Sequence, residues 1–129
     1  MIYLDTSVAL AQLFAEDRRP PATLWQDTLV SSRLLEYELW TRVHARGLAK
    51  SHDEIVRGLL GRVAFLELAR PVLERALEPF AKPVRTLDAL HLASMDFLRT
   101  TGQLVKLASY DDRLTAAARL MKFPVVDLS

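Results

Sequence analysis

Cysteine is absent from the chain, so disulfides and thiolate zinc sites are excluded and the composition suits a reducing compartment. Glycine is scarce, at four of 129 residues, while half the residues are hydrophobic, and together these exclude disorder and low complexity. Long apolar runs are missing as well: the richest stretches, such as Val8 to Phe14, fall well short of a membrane span. No basic segment precedes the apolar residues after Met1, so a signal peptide is not expected and the chain reads as cytoplasmic. The formal net charge is only +1, which argues against a nucleic-acid binder working through bulk charge. There is no phosphate-binding glycine loop, no dinucleotide fingerprint and no Ser–His–Asp order.

What is present suits one α/β domain, residues 1–129, large enough to bury a real core. Ile2 to Leu4 reads as a buried strand, followed by a helix from Ser7 to about Phe14 with Ser7 as its cap. A proline-broken loop, Asp17 to Pro21, leads to a short helix carrying Leu24 and Trp25, then to a strand at Thr28 to Ser31. Leu35, Leu39 and Val43 recur at helical spacing between Arg33 and Arg46, and Gly47 is the stop. Ser51-His52-Asp53-Glu54 matches a capping box that opens a helix to about Leu60. Val63 to Leu68 predicts a third strand; Pro71 opens a helix that ends before Pro79, and Phe80 to Arg85 is a loop. The remaining segments predict a helix over Leu87 to Arg99, a strand over Leu104 to Ser109, a helix over Asp111 to Met121 and a strand at Pro124 to Val126. Such alternation implies a parallel sheet covered on both faces.

Four acids stand where apolar runs or helices meet loops: Asp5, Glu38, Asp88 and Asp111. A carboxylate directly after a buried strand lies at the sheet edge where open α/β folds bind ligands. Each acid also has a plain structural meaning. Asp88 is a favourable charge in a helix first turn, Asp111 is a cap, and Glu38 pairs with Arg42 at four-residue spacing. Together they suggest one oxygen-rich pocket of the kind that holds Mg²⁺ or Mn²⁺. A phosphatase forming an aspartyl-phosphate would place an aspartate two residues after Asp5, where Ser7 stands. The seventeen basic residues are thirteen arginines and four lysines, which is either a composition bias or a supply of phosphate-binding forks.

The runs Tyr3-Leu4-Asp5-Thr6-Ser7, Ser31-Ser32 with Glu38-Leu39, Leu87-Asp88-Ala89-Leu90-His91-Leu92-Ala93, and Ser109-Tyr110-Asp111 with Leu114 resemble the PIN-domain ribonucleases. The likeness is strongest to VapC-type toxins of bacterial and archaeal toxin–antitoxin pairs, and it spans the whole chain. The resemblance implies a three-layer α/β/α sandwich and a Mg²⁺- or Mn²⁺-dependent endoribonuclease. Its metal ligands would be Asp5, Glu38, Asp88 and Asp111. It also implies an RNA substrate, a VapB-like antitoxin and a homodimer. The spacing prefers Glu38 over Glu36 and Asp111 over Asp112, and Asp96 is an extra acid at the rim or a solvated helix face. His91 reads as a packed structural histidine, His44 and His52 carry no role, and Thr6 and Ser7 are either donors to the carboxylates or phosphate or simple helix caps. Arg42, Arg85 and Arg113 are the arginines nearest the acids in sequence, and Leu10, Phe14, Leu24, Trp25, Tyr37 and Trp40 are candidates for an antitoxin groove. The rival reading is an acidic-pocket domain of the same fold that binds protein or RNA without cutting.

Overall fold

A computed structural model describes all residues from Met1 to Ser129. Four strands, β1 (Ile2–Leu4), β2 (Leu29–Ser32), β3 (Val63–Leu66) and β4 (Lys106–Ala108), form one sheet in the order β3-β2-β1-β4. Every pairing is parallel. Six helices connect and cover them: α1 (Thr6–Leu13), α2 (Leu34–Ala45), α3 (Asp53–Leu60), α4 (Arg70–Leu77), α5 (Thr86–Thr100) and α6 (Asp112–Leu120), with a 3₁₀ turn at Ala22–Gln26.

The two-residue period of β1 sorts the core into two layers. Ile2 and Leu4 pack with Val8, Leu35, Leu39, Val43, Val56 and Leu60 from α1, α2 and α3. Tyr3, between them, joins Leu92, Met95, Leu107, Leu114 and Phe123 on the opposite face, beneath α5 and α6. The sheet is therefore buried on both sides, as a three-layer α/β/α sandwich requires. The chain builds outward from β1 to β2 and β3, then returns to add β4 on the other side of β1. Strand order thus reverses at the β1/β4 seam, which opens a crevice beyond the carboxyl ends of those strands.

Local chemistry sets the element ends. The predicted stop after α2 is a paired αL cap: Gly47 sits at φ +67°, Gly47 N–H donates to His44 O at 3.0 Å, and Leu48 N–H donates to Val43 O at 3.1 Å. Other expectations are corrected. Asp5, not Ser7, is the N-cap of α1, its carboxylate accepting from Ser7 N–H. Ser51 forms no capping box; its hydroxyl donates to Leu48 O and meets His52 Nδ1, while His52 precedes α3 with no side-chain cap. β3 ends at Leu66, where Arg33 N–H takes the last carbonyl at 2.8 Å. β4 is limited to the three residues that β1 can pair, leaving Leu104 87% exposed. The expected strand at Pro124 to Val126 is reduced to a single parallel bridge between Leu107 and Val125.

Candidate active site

All four predicted acids line one cleft of about 800 Å³ at this crevice. Each arrives from a different place in the fold. Asp5 follows β1, Glu38 projects from α2, Asp88 lies in the first turn of α5, and Asp111 caps α6 after β4.

Asp5 is 7% exposed and firmly held. Its Oδ2 accepts from Ser7 Oγ at 2.6 Å, from Ser109 Oγ at 2.8 Å and from Ser7 N–H at 3.4 Å. The same hydroxyls anchor the loop after β4: Ser7 Oγ accepts from Tyr110 N–H at 2.9 Å, and Ser109 Oγ accepts from Asp111 N–H at 2.9 Å. The ends of β1 and β4 are thereby laced together around one carboxylate oxygen. Ser7 meets its expected part as a donor, and Ser109 is a contributor the sequence did not single out.

Glu38 is held in the same one-sided way. Its Oε1 accepts from Thr6 Oγ1 at 2.8 Å and meets His91 Nε2 at 2.8 Å. His91 in turn meets Tyr3 Oη at 2.7 Å, deep in the second core layer. Asp111 uses Oδ1 to cap α6, accepting from Arg113 N–H at 2.9 Å and Leu114 N–H at 3.3 Å. Three carboxylates therefore each commit one oxygen to the fold and keep the other without a donor; Asp88 receives no donor at all. This donor set, hard and anionic, is chemically right for Mg²⁺ or Mn²⁺. As the side chains stand, no three acids or histidines group closely enough to coordinate one ion.

The charges of the cleft act on one another. Burial, reinforced by the charges of Asp111 and Asp5, raises the Asp88 carboxyl above its ordinary value, against the opposing pull of Arg85 and His91. Burial disfavours a charged His91, but its bond to Glu38 and the charges of Asp5, Glu38 and Asp88 outweigh that and raise its pKa.

None of the alternative acids lines the cleft. Glu36 faces away and pairs with Arg33 at 3.5 Å. Asp112 does not line the cleft. Asp96 is neither a rim acid nor a solvated one: it bonds Arg75 at 2.7 Å and Arg99 at 2.8 Å, between α4 and α5. Arg42 and Arg85 line the cleft as anticipated; Arg113 does not, and Arg18, stacked 4.8 Å over the Tyr110 ring, takes its place. Of the six proposed groove residues, Leu10 and Tyr37 line the cleft, with Tyr37 66% exposed. Leu24 is core, and Phe14, Trp25 and Trp40 pack half-buried against the α1–α3 layer.

Comparison with known proteins bears on family and fold. The PIN domain family matches residues 2–120. Ribonuclease VapC47 of Mycobacterium tuberculosis is 31% identical over 130 residues, covering 95% of this chain and 93% of that protein. Ribonuclease VapC35 of the same organism is 28% identical over 131 residues, covering 98% and 96%. Among solved structures, the fold is shared with Mycobacterium tuberculosis VapC20, a toxin that cleaves the sarcin–ricin loop, at TM-score 0.65 and 21% identity over 91% of this chain and 95% of that one. It is shared as well with VapBC2 from Rickettsia felis, at TM-score 0.71 and 14% identity over the full length of both chains. The chain belongs to the PIN-domain family, alongside its VapC-type ribonucleases.

Proposed function

We propose that this chain is a VapC-type toxin, an endoribonuclease that hydrolyses RNA phosphodiesters with Mg²⁺ or Mn²⁺ held by Asp5, Glu38, Asp88 and Asp111. The observation that carries the reading is the shared pattern at the cleft: three of the acids, from separate elements, each anchor one oxygen and present the other. A bound divalent cation would lower the pKa of its water and steady charge on the phosphate oxygens. Asp5, fixed by two hydroxyls, supplies the rigid reference point for the ligand set. Glu38 and Asp111 each keep one oxygen without a donor, and Asp88 adds a carboxylate whose repulsion with its neighbours a cation would relieve. Arg18, Arg42 and Arg85 stand along the same cleft to receive phosphates.

No helix is long and apolar enough to cross a membrane, and a cytoplasmic site of action fits a substrate of that kind. The reading extends to a VapB-like antitoxin that covers the cleft with a cationic side chain toward the acids, and to a homodimer. Leu10, Leu34, Tyr37 and Leu87 give the cleft the apolar rim that such a segment needs. Expressing the chain with and without a neighbouring antitoxin reading frame separates a restrained toxin from a harmless binding domain.

The decisive experiment is cleavage of structured RNA with Mn²⁺ or Mg²⁺, with EDTA as the control. Asn is as good an N-cap as Asp, so Asp5→Asn keeps the α1 cap while removing the charge. Cleavage by this folded variant is expected to fall by more than about 100-fold, beyond the range typical of losing a ligand's supporting partner. Parental rates at saturating Mn²⁺ would reject the site.

A further inference from the structure

His91 and Tyr3 lie outside the set of acids, yet they are among the most completely buried polar side chains, at 1% and 0% exposed. The carboxylate of Glu38 can only accept, so His91 Nε2 carries the hydrogen that points at Oε1 across 2.8 Å. In the neutral ring Nδ1 is then the acceptor and takes the Tyr3 hydroxyl hydrogen at 2.7 Å, while Ser32 N–H donates to Tyr3 Oη at 3.1 Å. Thr6 Oγ1 donates to the same oxygen. Both donors converge on Oε1, and none reaches Oε2.

We propose that His91, oriented by Tyr3, is the positioning residue that locks Glu38 with Oε2 turned to the cleft. The proposal rests on the nuclease reading. Glutamate has three side-chain torsions and would otherwise sample many directions from α2. The relay passes from the end of β2 through β1 and α5 to α2, so the carboxylate is held by the rigid sheet rather than by its own helix. Leu92 and Met95 beside it are apolar, so the two buried rings depend on their own hydrogen bonds for compensation. The chain of bonds ends on Glu38, the member most open to the cleft, its side chain 22% exposed against 2% for His91.

Variants of His91 separate the roles of its two nitrogens. A Gln amide reaches the position of Nε2 and keeps a donor to Glu38, whereas an Asn amide stops near Nδ1 and leaves Glu38 with Thr6 alone. Mn²⁺ affinity is measured by calorimetry, beside RNA cleavage and a thermal melt. His91→Asn is expected to bind Mn²⁺ about 10–100-fold more weakly, as losing a ligand's outer partner does, with KM for RNA unchanged. His91→Gln recovers most of that affinity. In a Glu38→Gln background, His91→Asn adds no further loss, because its effect passes through that carboxylate. A folded His91→Asn with parental Mn²⁺ affinity overturns the proposal, and so does an undiminished loss in the Glu38→Gln background. Should His91→Asn not fold, Tyr3→Phe carries the same comparison, with the same weakening expected and parental affinity again overturning it. A parent chain that neither binds Mn²⁺ nor cuts RNA sinks the nuclease reading and this proposal together; an active parent with indifferent His91 and Tyr3 variants sinks this proposal alone.

Discussion

Asp88 is the one acid of the four without a donor on either oxygen, and its carboxyl is pushed up by burial and by the charges of Asp111 and Asp5. Because the folded value lies above the ordinary 3.8 of an aspartate, the folded chain holds this proton to higher pH than the unfolded one. The stability it contributes is fully present below the unfolded value and is lost as pH rises through the folded one. At neutral pH the ionised group therefore opposes folding. Asp88→Asn is expected to stabilise the metal-free chain at pH 7 by roughly 0.5 kcal/mol, kept small because the carboxylate is partly solvated. The gain should vanish below about pH 3, where both states carry the proton. Thermal melts across pH test this, and an Asp88→Asn no more stable than the parent at pH 7 contradicts it. At this scale the four acids were legible because each occupies a strand end, a helix start or a motif position. The part played by His91 was not, since Tyr3 and Glu38 lie 88 and 53 residues away in the chain. Ser109 was hidden for the same reason: its partner Asp5 is 104 residues distant.

Elements whose apolar period was strong appeared where expected: β1, β2, α2 and α5 all fall within a residue or two of their predicted ends. The errors concentrate where a partner, rather than the segment itself, decides the outcome. Leu104 and Val105 carry strand-like side chains, but β1 offers only three residues to pair. Pro124 brings no N–H to a ladder, so the last segment touches β4 at one bridge only. The packing of α4 on α5 likewise depends on a contact invisible at short range, Asp96 between Arg75 and Arg99. Burial works against the ionised Asp96, whose side chain is 17% exposed, but the two guanidinium groups outweigh it and lower its pKa. The stability gained is present above 3.8 and lost as pH falls through the folded value. Asp96→Asn is expected to destabilise the fold by about 2 kcal/mol, because it strands the partly buried Arg75, whose Nη1 already lacks a partner. Cleavage per folded molecule should stay parental, since Asp96 does not line the cleft. Denaturant titration alongside an activity assay measures both, and a specific loss of activity without a loss of stability would contradict this separation.

For the molecule as a whole, the arginine excess has a mixed meaning. Arg18, Arg33, Arg46, Arg57, Arg75 and Arg99 each lie over an aromatic ring, at 4.0 to 5.6 Å from its centre. Much of the excess therefore caps the edges of the core rather than reaching for a ligand. With a net charge of +1, no overall field draws in a polyanion, so the proposed RNA substrate would be held by the few cations placed along the acidic cleft. Those are Arg18, Arg42 and Arg85. Each phosphate contact with single-stranded RNA releases counterions and steepens the salt dependence by about 0.7 log units. Three contacts give a slope near −2 in log affinity against log salt. Binding by the Asp5→Asn variant, expected to be inactive, across a salt series measures it without cleavage. Arg18→Ala, Arg42→Ala and Arg85→Ala are each expected to flatten the slope by about 0.7, while Arg113→Ala, outside the cleft, leaves it unchanged. The Arg18 result is the most discriminating, because that side chain already stacks on Tyr110 and must keep a free edge of its guanidinium for phosphate. A parental slope in Arg18→Ala would assign it to packing alone, and a flat response in the parent would remove the arginines from substrate binding altogether.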